Sequence, residues 1–177
     1  MIAEAITAAH VLKMLYFLEP QGPHVPDYGE ISEAIANTSN QDPLFPQRED
    51  GCLRTAAILV SLAWYESRFH KSVVGDQGKS FGLFQIQPPT AKHSANMLLN
   101  PREASYIAVD LIRTSFGACR NQPWESRLSW YISSNGCPTH PVIVKKSMSR
   151  MLTAERILKS EFPAKVLPPP ALPVNKT

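Results

Sequence analysis

Glu66 is the residue of this chain best placed for proton chemistry. It follows an apolar block, Ala56 to Val60, continued after Ser61 by Leu62, Ala63, Trp64 and Tyr65. Apolar side chains cover nearly every angle around a helix there, which predicts a buried helix rather than a surface one. No Pro or Gly interrupts the run before Gly75, so roughly four turns ending near Phe69 are expected. Glu66 then falls in the last turn. Burial disfavours an ionised carboxyl group, and the negative end of a helix dipole acts the same way. Both help the group keep a proton near neutral pH, as a general acid must. The plainer reading is a helix-end glutamate paired with Arg68 or Lys71.

A second acidic group, Asp76, lies between Gly75 and Gly78, and the compact run Phe81-Gly82-Leu83-Phe84-Gln85-Ile86 follows. Glycines there permit tight turns and close approach of the backbone to a ligand. A lone acid beside a glycine-rich cleft wall suits cleavage of a glycosidic bond. Asp76 in a Gly-flanked turn is equally a structural choice, its carboxylate bonding nearby backbone.

The pair of motifs "ESRF" and "GLFQIQPPTA" resembles the lysozyme-like lytic transglycosylases, and the fuller run "GDQGKSFGLFQIQ" is similar to goose-type lysozymes. The likeness covers about Ala56 to Ala91, with a weaker continuation to Gly136. It implies a mainly α-helical, lysozyme-like domain, with room for a small β-hairpin around Gly75 to Ile86. It also implies cleavage of the β-1,4 bond between N-acetylmuramic acid and N-acetylglucosamine in peptidoglycan, with Glu66 as catalytic acid and no cofactor or metal. Gly82, Leu83, Phe84 and Gln85 would form the cleft wall, and Ser67 would orient the acid. In "LSWYISSNG" the family's tyrosine is matched by Tyr131 with altered spacing, and it would support the acid by hydrogen bonding; a core tyrosine is the competing reading. Asn135 and Trp130 are weaker candidates for sugar contact. Goose-type lysozymes carry an aspartate at the position of Asp76 to hold a nucleophilic water, about 6.5–9.5 Å from the acid in an inverting hydrolase. Gln87 stands where those lysozymes have a further aspartate, so the transglycosylase leads and the hydrolase is second. A non-catalytic glycan-binding or virion protein is the rival from another class.

Composition sets the outer bounds. The 177 residues suit a single domain of ordinary globular make-up, 44% hydrophobic and 19% charged. A net charge of +3 would ease approach to anionic wall polymers, but no basic-aromatic repeat points to nucleic acid. The first twenty residues lack the basic start of a secretory signal, and no apolar run is long enough to span a membrane. A wall-cleaving enzyme of this kind would act as a monomer on the cell wall, delivered by a phage virion, holin-dependent release or a secretion system. Of three cysteines, Cys119 and Cys137 flank an expected helix and could be bridged outside the cytoplasm, with free buried thiols the plainer reading.

Along the chain, residues 1–50 read as an N-terminal helical elaboration packed on the core, 51–163 as the catalytic domain and 164–177 as a proline-rich tail. Helices are expected over residues 2–18 and, briefly, Glu30 to Ala36, with Asn37 to Asp50 a polar loop. His10 and His24 read as surface or packing histidines. Asn100-Pro101-Arg102-Glu103 is a helix start, its helix ending at Gly117. Another helix opens at Pro123. From Pro141 to Phe162 a long helix would turn Val144, Met148, Met151, Leu152, Ile157 or Leu158, and Phe162 inward, leaving Lys145, Lys146, Arg150, Arg156 and Lys159 as a solvated basic face.

Overall fold

The apolar block becomes the central helix of the molecule. A computed structural model describes residues 4–20, 27–134 and 136–161. In it α3, Gly51–Ser67, is buried on almost every face, from Cys52 to Ala63. It ends slightly earlier than the apolar pattern suggests. Arg68 and Phe69 both take left-handed backbone, with φ of 54° and 64°. Phe69 is fully buried, its ring 5.6 Å from both Tyr28 and Trp64. Seating that ring in the core turns the chain out of the helix.

Around α3 lie α1 (Ala8–Leu18), α2 (Tyr28–Gln41), α6 (Pro101–Ala118) and α8 (Pro141–Glu161), with short helices α4 (Pro88–Ala91), α5 (Ala95–Leu99) and α7 (Ser129–Ser133) between them. Two short strands, β1 (Val74–Gly75) and β2 (Ser80–Phe81), pair antiparallel with Val74 opposite Phe81 and Gly75 opposite Ser80. The expected helical domain with a small hairpin is therefore present. One hydrophobic core joins Val11, Met14 and Leu15 of α1, Ile31 and Ile35 of α2, Leu59 and Leu62 of α3 and Ile157 of α8.

Three segments differ from the pattern-based expectation, each through a polar side chain that bonds backbone. α2 runs on to Gln41, through the stretch expected to be loop: Thr38 and Ser39 are buried, and the Asn40 carboxamide bonds the backbone of Ile6 in both directions at 2.8 and 2.7 Å. His10 closes a capping box with Thr7 at the start of α1. The helix expected from Pro123 is a 3-10 turn, Trp124–Ser126, followed by α7. Two serines tie that irregular stretch down. Ser115 of α6 donates to the Arg127 carbonyl and accepts from the Tyr131 amide. Ser147 of α8 donates to the Glu125 carbonyl and accepts from the Leu128 amide. Asn100 caps α6 as expected, accepting from the amides of Arg102 and Glu103, but Gly117 lies inside the last turn. Phe162, His24 and the proline-rich tail lie outside the described residues.

α7 packs back on α6, which brings Cys137 to Cys119 at the end of α6, and the two form a disulfide with Cα atoms 5.3 Å apart. The free-thiol reading of this pair is thereby overturned. Cys52 is free and buried, and burial pushes its thiol upward.

Candidate active site

Glu66 enters a cleft of about 280 Å³ from the last turn of α3. The opposite walls come from the hairpin, from α7 and from α8. Asp76, Phe84 and Gln85 line it from the hairpin and the turn after it, Trp130 and Tyr131 from α7, and Lys146 and Arg150 from α8. The chain therefore gathers residues far apart in sequence around one carboxylate.

Turn geometry fixes the hairpin wall. Asp76 and Gln77, with φ of 49° and 57°, precede Gly78 at φ 89° in the turn between the strands. Asp76 accepts a hydrogen bond from the Ser80 hydroxyl across that turn. It thus faces the cleft and also braces its own loop. Gln85, at φ 47°, donates its side-chain amide to the carbonyls of Val73 (3.1 Å) and Gly82 (2.9 Å). The carboxamide packs so closely over Gly75 that a β-carbon there would overlap its oxygen. Gln85 is thus a lock on the hairpin as well as part of the cleft lining. Gly82, at φ 72°, admits a close backbone approach, but to the Leu98 carbonyl of α5. Leu83 is fully buried in the core.

Tyr131 donates its hydroxyl to the Phe84 carbonyl at 3.1 Å, which ties α7 to the hairpin turn. Its hydrogen bond therefore goes to the cleft wall and not to the acid. Burial first, and the neighbouring Glu66 carboxylate second, push its hydroxyl well above the ordinary tyrosine range, while Arg150 opposes them. Ser67 is buried and donates to the Ala63 carbonyl at 3.1 Å, an ordinary bond along its own helix. Asn135 lies outside the described residues.

The surroundings of Glu66 differ from a dry, isolated carboxyl in two respects. Its side chain is 21% exposed, and it forms an ion pair with Arg150. Nε and Nη2 of Arg150 both donate to the same oxygen, Oε1, at 2.9 and 2.7 Å. Oε2 has no hydrogen bond among the described residues. The nearby cations expected from sequence are occupied elsewhere: Arg68 stacks on the Trp64 ring, 3.8 Å from its centre, and Lys71 pairs with Asp27 and Glu30.

Arg150 is the residue the sequence pattern misplaced. It was expected on a solvated face, yet its side chain is only 8% exposed. The inward stripe of α8 is Ser147, Arg150, Met151, Ala154, Ile157 and Leu158, while Met148 and Leu152 point outward. Met151, Ile157 and Leu158 point inward as expected, but choosing by apolarity alone also turned Met148 and Leu152 inward and left Arg150 out. Helical spacing from Ile157 and Ala154 back to Arg150 and Ser147 was the available signal, hidden because two of its members are polar.

Residues 52–134 match the family described as the Transglycosylase SLT domain. The match runs from α3 through the hairpin to α7, and ends before α8. No curated protein and no solved structure shows a significant match to the chain.

Proposed function

We propose that Glu66 is the catalytic acid and base of a lytic transglycosylase reaction, in keeping with the match of residues 52–134 to the Transglycosylase SLT domain, a lysozyme-like family of peptidoglycan-cleaving enzymes. The observation that carries this is the placement of Glu66 at the end of α3, on a cleft shared with the hairpin wall and Tyr131. Protonated Glu66 gives its proton to the glycosidic oxygen as the bond from that oxygen to C1 of N-acetylmuramic acid breaks, through an oxocarbenium-like state. The resulting carboxylate then takes the proton of the C6 hydroxyl as O6 attacks C1. The product is a 1,6-anhydro sugar, and no water is consumed. The N-acetyl group of the same sugar assists at C1, so one protein carboxylate suffices. With Oε1 held by Arg150, Oε2 is the oxygen available to carry the proton.

Phe84 and Gln85 support substrate as part of the cleft wall, and the Trp130 ring offers a face for a sugar. Gly82 and Leu83 shape that wall from behind. The disulfide suits action outside the reducing cytoplasm, where peptidoglycan lies.

A hydrolase is the second reading, favoured by one observation: Asp76 lines the same cleft as Glu66 and could hold a water. The bond it receives from Ser80 supports the structural role instead. Glu66→Gln tests the shared claim. The variant keeps the wild-type fold by circular dichroism and loses clearing of purified sacculi by at least about a hundredfold, the low end of general acid–base catalysis. Full clearing by this variant would remove Glu66 from the chemistry.

A further inference from the structure

The geometry points to Arg150 as a positioning residue for the acid, supplied by a helix outside the family-matched segment; this rests on Glu66 being the catalytic carboxyl. Four contacts fix the arginine before any substrate arrives. Its Nη1 donates to the Lys146 carbonyl at 2.9 Å, and its guanidinium lies over the Tyr65 ring, 4.9 Å from the centre. Its own carbonyl accepts the Ser61 hydroxyl at 2.7 Å, anchoring that turn of α8 to α3. The remaining donors converge on Oε1 of Glu66.

Two donors on one oxygen, not one on each, make an asymmetric arrangement. A fork spread over both oxygens would hold the carboxylate as a closed pair. Here the guanidinium holds one oxygen and leaves the other with no partner among the described residues. Arg150 thereby selects Oε2 as the proton-carrying oxygen. It also offsets the charge that appears on Glu66 once the proton has passed to the leaving oxygen. That preorganised cation acts where charge develops, so its effect belongs to the rate of the chemical step more than to binding.

The other charged and titratable groups around the acid are Lys146 on α8, Tyr131 on α7, Asp76 in the hairpin and Tyr65 on α3 itself. Among the described residues Arg150 alone forms an ion pair with it.

The test uses the full chain with Arg150→Met, which keeps length and loses charge, and Arg150→Lys, which keeps charge and loses the fork. Initial rates are followed across concentrations of purified peptidoglycan, beside Glu66→Gln, with thermal unfolding as the folding control. Arg150→Met is expected to lose about tenfold or more in kcat with KM within about twofold. Arg150→Lys recovers part of the kcat lost in Arg150→Met. If Arg150→Met does not fold, an Arg150→Lys variant with kcat unchanged from wild type refutes the role by itself. An unchanged kcat in Arg150→Met, or a loss in KM alone, overturns it. A rise in kcat makes the pair an inhibitory latch and overturns it equally. An active Glu66→Gln brings down the catalytic reading of Glu66, whereas an inactive Glu66→Gln with an indifferent Arg150→Met brings down the arginine alone.

Discussion

Replacing Gly82 by alanine isolates the force that holds the cleft hairpin against α5. Gly82 sits at φ 72°, where a β-carbon costs about 1–2 kcal/mol in any surroundings. The new methyl group would also lie 2.8 Å from the Leu98 carbonyl carbon and closer still to its oxygen. Those atoms are backbone, so relief requires moving α5 or the hairpin, with an overpacking cost of about 1–3 kcal/mol. The sum, about 2–5 kcal/mol, is a large share of the ~5–15 kcal/mol typical of a folded domain. For a chain of this size each kcal/mol lowers Tm by about 2–4 °C, so Gly82→Ala should melt about 4–20 °C below wild type by circular dichroism. Gly78→Ala is the control: its φ is 89°, but its β-carbon meets nothing within 4 Å. That variant should lose only the conformational part, about 1–2 kcal/mol. A Gly82→Ala shift no larger than that of Gly78→Ala would refute the claim that backbone contact with Leu98 selects glycine here.

Tyr28 carries a buried hydroxyl with no hydrogen-bond partner among the described residues, and burial, then Glu19 and Tyr16, push it up to about 12. The folded state thus keeps this proton to higher pH than the unfolded chain. Stability is fully present below about pH 10 and falls as pH rises towards 12, since the native state then binds more protons than the unfolded one. Tyr28→Phe should leave stability at pH 7 unchanged or slightly raised and reduce that alkaline loss; urea unfolding at pH 7 and pH 11 measures both. The Cys119–Cys137 bridge spans a sequence separation of 18. Its reduction should cost about 3 kcal/mol and lower Tm by about 6–12 °C, read by melting with and without reductant.

The sequence made the helical domain, the central helix and the hairpin legible because their signals are local. An unbroken apolar block can only be buried, and a cluster of glycines and Asp76 can only be a turn. Glu66 and Asp76 followed from the same local patterns, and they share a cleft. What stayed hidden depends on tertiary partners. Arg150 looks like one more surface cation of α8 until Glu66, Tyr65 and the Lys146 carbonyl surround it. Thr38, Ser39 and Asn40 look like a loop until the N-terminal segment packs over them. Ser115 and Ser147 carry no periodic signal, yet they hold the stretch that delivers Tyr131. In each case a polar side chain occupies a position that hydrophobic spacing would assign to an apolar one. The direction of the Tyr131 hydroxyl was likewise invisible, because its acceptor is a backbone carbonyl in another element.

The central claim is that one carboxylate, Glu66, carries both proton transfers without water. Mass spectrometry of muropeptides released from purified peptidoglycan tests it most directly. Wild-type protein should release fragments ending in 1,6-anhydro-muramic acid, and Glu66→Gln should release none. Reducing ends heavier by one water would contradict the account, making the enzyme a hydrolase with Asp76 as the group that positions that water.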